Sequence, residues 1–480
     1  KPLALKPLAL KPLALKPLAL KPLTPGLLLL EPRTVAPVGN PQHPKNRRGI
    51  GRMEDRVMKR LIVASHRLPG NDVEDRNDVL ASTLIAALEG EAGLWIGSTE
   101  EADRPTVADI PDADAGYGRV CIGLTPEQSA GHAMIAKRAL WPVLYSRLDL
   151  AQFDNASYQA YRRVNIRFAD TVARYASASD SILVHDHYLI SLARELRRKG
   201  STVPIGFFLR TPFPDPDIFA ALPWACELAE DLACYDLVGF QTEECRANFQ
   251  AFVEQHCGGN ANGDRLSIDG SSMAVGAFPT GIDADGARSM AGSPAVDSLV
   301  RRIQDVLHGQ TAIVGLERLD DVSGIVRSLG ALETLFEQTP ELAERVCLLQ
   351  AVNESPRPEL RRTAGELRVL SDCINGCFGS GGWQPIHLAT RHFTRAESLA
   401  LLRASRIGLM ARPRAGMGLA AKEYVAAQNP DDPGVLVLSQ SAGAASELTD
   451  AILVDPLDDR SIADGLRRAV CLPRGERQSR

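Results

Sequence analysis

No run of about 18 consecutive apolar residues occurs in the 480-residue chain, so the sequence offers no membrane-spanning helix. The longest apolar run near the start, Leu27 to Leu30, is far too short. A positive excess is also missing. Lys and Arg total 54 against 59 Asp and Glu, for a net charge of −5, which excludes a general attraction to nucleic acid or acidic membranes. Any anionic ligand must therefore meet a local cluster of cations. Cysteine is sparse and shows no paired spacing: nine are scattered along the chain, and the nearest two, Cys373 and Cys377, have no second pair beside them. The expectation is a cytoplasmic protein with reduced thiols and no metal site.

The hydrophobic share is 45% and the charged share 24%, as in ordinary folded proteins. A chain of 480 residues exceeds one ordinary core and predicts at least two domains. Residues 1 to 20 are four copies of Lys-Pro-Leu-Ala-Leu, and a fifth decays after Leu23. Proline every fifth residue removes amide donors and disfavours helix at the residue before it. Residues 1–57 therefore read as a disordered, Pro-rich extension.

Beyond it, Leu61–Ser65 is a short apolar run with a polar stop, like a buried parallel strand, and Val79–Leu88 reads as a helix. Similar runs recur at Ser181–Val184, Ile205–Leu209, Leu237–Phe240, Ala312–Gly315, Val346–Gln350, Ile407–Met410 and Val435–Leu438. Helical patterns separate them. This alternation predicts an α/β fold of two doubly wound domains with parallel sheets facing across a cleft. The weakest organisation lies near Asp264–Gly292, where Gly, Ser and Asp are frequent. The domains are accordingly placed at 58–280 and 281–480.

The most informative segment is Arg412 to Gln428, a glycine-bearing loop that follows an apolar run and enters a helix. Amides at such a helix start suit a phosphate, and a carboxylate one turn in, Glu423, suits ribose hydroxyls. The pattern alone also fits a purely structural turn. Arg67 ends the first predicted strand, at the edge where ligands gather in doubly wound folds. His185 and Asp186 end another, where they either do chemistry or cap the following helix.

Ala421-Lys422-Glu423-Tyr424-Val425-Ala426-Ala427-Gln428, Pro433 to Gln440, Ala442-Gly443-Ala444 and Glu447-Leu448-Thr449 resemble trehalose-6-phosphate synthases. The similarity extends through Glu317-Arg318-Leu319-Asp320, Pro279 to Ile282, Gly239 to Thr242, Pro212-Phe213-Pro214, His185-Asp186 and Arg147 to Leu150, covering about residues 59 to 470. The resemblance implies a retaining GT-B transferase of glycosyltransferase family 20. Its expected partners are UDP-glucose and glucose 6-phosphate, without metal or cofactor, and the sequence leaves a homo-oligomer open. Carried over by position, the resemblance makes Arg318, His185 and Asp186 catalytic and Arg67 and Asp149 acceptor-binding, with Arg357 added one residue beyond Pro356, where the family's arginine is expected. Leu419, Ala420, Ala421, Lys422 and Glu423, with Arg318, become the nucleotide-sugar set.

Several positions depart from the family pattern. The lysine expected after Arg318 is Ser323, the acid expected after Arg414 is Ala415, and the early Gly-Gly loop is replaced by Asn77-Asp78-Val79. The expected His-Asp-Tyr-His reads His185-Asp186-His187-Tyr188, an aromatic is missing near His132, and Ser98 replaces a tryptophan. Three readings follow: a trehalose-6-phosphate synthase, a relative with a changed donor or acceptor, or a noncatalytic sugar-phosphate-binding paralogue.

Overall fold

The computed structural model describes residues 60–68, 84–85, 87–88, 93–98, 107–110, 116–320, 324–353 and 360–480. The repeats of 1–57, Asn77–Val79, Ser323 and Arg357 lie outside the described residues. Of the expected 79–88 helix, Leu84, Ile85, Ala87 and Leu88 are described, and they are helical.

The first sheet contains β1 (Leu61–Arg67), β2 (Leu94–Ser98), β3 (Val107–Ile110), β4 (Gly118–Ile122), β5 (Ser181–His185), β6 (Ile205–Leu209), β7 (Leu237–Phe240), β8 (Asn260–Asn262), β9 (Arg265–Ile268) and β10 (Ser271–Ala277). Their order is β3-β4-β2-β1-β5-β6-β7-β10-β9-β8. The strands from β4 to β10 in this order run parallel, while β3 at one edge and β9 and β8 at the other turn antiparallel. The second sheet contains β11 (Thr311–Arg318), β12 (Val346–Asn353), β13 (Ile386–Thr390), β14 (Ile407–Met410), β15 (Val435–Ser439) and β16 (Ile452–Val454). It is wholly parallel, in the order β13-β12-β11-β14-β15-β16. That is the doubly wound 3-2-1-4-5-6 arrangement of a dinucleotide-binding fold.

Such topologies leave a crevice where the strand order reverses, at the carboxyl ends of the strands. In the first sheet the reversal lies between β1 and β5. In the second it lies between β11 and β14. The helix Asn155–Tyr175 supports the first crevice. Asp154 caps it by accepting the Ser157 amide at 2.7 Å, and Tyr158, Tyr161, Val164, Phe168 and Val172 recur at helical spacing on its buried face. Each such side chain contributes roughly 1.5–3 kcal/mol by leaving water. Tyr161 also donates its hydroxyl to the His187 carbonyl at 2.8 Å and accepts the Ile190 amide at 3.1 Å, which fixes the turn after β5.

Two local expectations are corrected. Asp264–Ala277 is not weakly organised, because Arg265–Ile268 alternates exposed and buried residues and pairs with β10 across Asp269-Gly270. Both turn residues have positive φ, 46° and 76°, as a tight hairpin requires. The thiols are not all reduced, since Cys226 and Cys257 form a disulfide. Cys226 lies in the helix Ala225–Leu232 and Cys257 caps the helix Glu243–His256, so the fold brings together residues 31 apart that no cysteine spacing links. No helix among the described residues is long and apolar enough to cross a membrane.

Candidate active site

Arg67 ends β1, Asp186 follows β5 and Arg210 follows β6, so three adjacent strand ends present a cation, an acid and a cation. Asp186 has φ 70°, a region that side-chain-bearing residues rarely adopt. Its carboxylate accepts the His187 amide at 3.0 Å, lies 3.1 Å from His187 Nδ1, and faces Arg210 Nε at 3.7 Å. Burial alone would raise the Asp186 carboxyl. His187, through charge and hydrogen bond, and then Arg210 instead carry it well below the usual carboxylate range. The capping expectation is met, as Asp186 caps the short turn His187–Leu189. His185, beside it, is buried with its ring 5.7 Å from Phe208.

Below these groups lies a stack of rings. His66 is parallel to Tyr188 with centroids 4.4 Å apart, His132 is 4.9 Å from His66, and His187 is 4.4 Å from Tyr188. His132 Nε2 is 2.9 Å from the Tyr188 carbonyl. Burial lowers His132 to about 4 despite that bond, and burial followed by the charges of His132 and Arg67 lowers His66. Both rings are therefore neutral at pH 7. Burial and then Asp186 raise the Tyr188 phenol, opposed by Arg210, Arg67 and Arg318. One side chain thus feels arginines from both sheets.

Across the crevice, Arg318 ends β11 and is exposed. Glu317 accepts the Gly324 amide at 2.9 Å, and burial pushes its carboxyl up against the pull of Arg412. Arg412, separated from β14 by one residue, pairs with Asp320 and lies 5.8 Å from the Tyr145 ring centre. The loop after it crosses to the first sheet. Arg414 Nη1 donates to Ser146 Oγ at 2.7 Å, and a methyl added at Gly416 would sit 2.5 Å from the Arg210 carbonyl oxygen. Gly418, at φ 77°, then opens the helix Leu419–Ala427 with no side-chain cap.

The first turn of that helix contains Leu419, Ala420 and Ala421. Lys422 donates to both carboxylate oxygens of Glu447 and to the Thr280 carbonyl, each at 2.9 Å. Glu423 pairs with Arg395 at 3.0 Å, and burial raises its carboxyl against the pull of that partner. Asp149 is exposed and held by Arg147 at 2.8 and 2.7 Å, and those bonds lower its carboxyl. The structure therefore gathers Arg67, His185, Asp186 and Arg318 about the crevice. Lys422 and Glu423 are engaged by other protein groups, and Asp149 is tied to its neighbour.

The profile of glycosyltransferase family 20 matches residues 56–480. The chain belongs to that family. A trehalose-6-phosphate synthase of Enterobacter sp. is 37% identical over 435 residues, covering 88% of this chain and 90% of its own length. An α,α-trehalose-phosphate synthase (UDP-forming) of Burkholderia xenovorans, solved with glucose 6-phosphate, superposes with a TM-score of 0.82 at 32% identity, over 88% of this chain and 94% of that one. An E. coli structure bound with UDP-2-fluoro glucose gives a TM-score of 0.82 at 34% identity, over 88% and 93% of the two chains. The fold of this family 20 chain is thus GT-B.

Two arginines of this glycosyltransferase crevice were not among the expected site residues. Arg210 follows the predicted strand Ile205–Leu209, and Arg412 nearly follows Ile407–Met410. The rule that selected Arg67, a cation at the end of a buried run, applies to both.

Proposed function

We propose that the chain transfers glucose from UDP-glucose to glucose 6-phosphate with retention, giving α,α-trehalose 6-phosphate and UDP. One observation carries the reading: the loop after β14 docks on the first sheet, Arg414 Nη1 donating to Ser146 Oγ at 2.7 Å and Gly416 lying against the Arg210 carbonyl, so that strand-end arginines of both sheets border one crevice. Two anionic substrates brought together need cations on both sides of the junction. In this reading 58–280 is the acceptor domain and 281–480 the nucleotide-sugar domain. Arg67, with Asp149 and Arg357, holds the sugar phosphate. Arg318 and the amides of Leu419 and Ala420, at the helix start that Ala421 closes by donating to the Gly418 carbonyl at 3.0 Å, take the charge that develops as the diphosphate leaves, aided by the helix dipole. Lys422 braces that helix and Glu423 meets the ribose. Asp186 and His185 shape the floor against which the sugars react. The proposed location is the cytoplasm, because both substrates are charged sugars that do not cross membranes unaided.

A second reading, a changed donor, is favoured at one position. Ala415 is bridged to Ala442 and puts a methyl where the resemblance implies a carboxylate. UDP release by the purified full chain, given UDP-glucose with and without glucose 6-phosphate and with the product weighed by mass spectrometry, decides between them. Acceptor-dependent release of UDP with a disaccharide phosphate supports the first reading. A folded protein that binds both ligands and releases nothing refutes it.

A further inference from the structure

Arg210 stands where the two halves of the crevice meet. It follows β6, which lies next to β5 and two strands from β1, so strand spacing puts its backbone roughly 10 Å from Arg67. Its carbonyl lies under the loop from β14, close enough that no side chain fits at Gly416. That loop runs directly into the uncapped helix Leu419–Ala427. The Arg210 side chain is 38% exposed. Its neighbour Asp186 sits at the longer distance of 3.7 Å and is already engaged by the His187 amide and ring.

We infer that Arg210 contacts the diphosphate of the nucleotide sugar, supplying from the acceptor-side sheet a cation that meets the leaving group opposite Arg318. This rests on the transferase reading proposed above. The consequence is a leaving-group site completed only when both sheets contribute. An arginine suits it because a planar fork can bridge two phosphate oxygens, which an ammonium cannot.

The test uses the full chain with Arg210→Gln, which keeps a polar side chain of similar reach and removes the charge, and Arg210→Ala. UDP alone is titrated calorimetrically against each, with glucose 6-phosphate as the comparison ligand and thermal melting as the control for folding. The expected result is a tenfold or greater loss of UDP affinity in both variants, with little change for glucose 6-phosphate and a near-native melting temperature for Arg210→Gln. Turnover should fall about 100-fold, and added guanidinium at millimolar concentration should restore part of it in Arg210→Ala. UDP affinity within twofold of the parent, or a loss confined to glucose 6-phosphate, overturns the inference. A parent chain that binds UDP through Arg210 and makes no disaccharide phosphate leaves the inference standing and sinks the transferase reading.

Discussion

The two lips of the crevice are made of different materials. Around β1 and β5, side chains do the work: a stacked floor of His66, His132, His187 and Tyr188 carries Arg67, Asp186 and Arg210 above it. Around β11 and β14, backbone does more of it. Apart from Arg318 and the Arg412–Asp320 pair, the lip is a glycine-bearing loop and the first turn of a helix. A lip of side chains can be retuned one residue at a time, since each charge sits on its own strand end. A lip of backbone tolerates change only where nothing approaches it closely. Departures from the family pattern fall on both lips, at His187 and Tyr188 in the ring floor and at Ala415 in the loop after β14, while the resemblance is continuous from Ala421 through the rest of the helix Leu419–Ala427.

The largest effect that sharpens the contrast is expected from Arg318→Ala. It is a side-chain charge on the backbone-built lip, and helix amides there cannot replace a full cation. Losing one electrostatic donor costs roughly 2.7–4 kcal/mol of transition-state stabilisation, or about 100- to 1000-fold in turnover. Steady-state kinetics with UDP-glucose checks this. A loss under fivefold would mean the amides carry the leaving group alone.

Next comes pH, which should act on the ring floor. His132 titrates at about 4 in the fold against about 6.5 unfolded, so the unfolded chain binds more protons between those values. Stability is then complete above about pH 6.5 and is lost as pH falls toward 4, by an amount on the order of 3 kcal/mol for this one group. His66 shifts in the same direction and adds to the loss. Asp186, lowered in the fold, contributes stability above the usual carboxylate range that disappears only at lower pH. Urea melts at pH 7, 6 and 5 should show a slope that His132→Phe flattens. An unchanged slope would place the titration elsewhere.

The third test breaks the backbone lip. Gly416→Ala puts a methyl 2.5 Å from the Arg210 carbonyl oxygen, and both partners are main chain, so one must move. Overpacking of this kind costs roughly 1–3 kcal/mol. Here it should appear as a higher KM for both substrates, because the loop that joins the two lips is displaced. Melting temperature and the two KM values separate a local shift from general unfolding.

The contrast also accounts for what the sequence made legible. All eight buried runs became strands, because a central parallel strand is apolar on both faces and reads as an uninterrupted run. β13, with mostly half-buried residues, and the antiparallel edge strands lack that signature and were missed, as were the parallel strands β2, β4, β10 and β16, whose runs are short or interrupted by glycine or polar residues. The disulfide was missed because helix packing, not spacing, brings Cys226 to Cys257. Within the crevice, Arg67, Asp186 and Arg318 were visible as charges at strand ends. The partners of Lys422 and Glu423 were not, since Glu447, Thr280 and Arg395 converge on that helix only in three dimensions.

The smallest expected effect concerns the tether between the lips. Arg414 reaches from the backbone lip to Ser146 at 2.7 Å and faces Glu244 at 3.8 Å, where the carboxylate is 75% exposed. Exposed pairs of this kind contribute at most about 1 kcal/mol, so Arg414→Ala should barely move the melting temperature. Its effect should be kinetic. If the tether favours the arrangement in which both lips face the ligands, its loss lowers the population of that arrangement and raises both KM values together, by about two- to fivefold, with kcat nearly unchanged. A fall in kcat with constant KM would instead make Arg414 a contact of the reacting groups, and would move the boundary between the two lips onto the substrate itself.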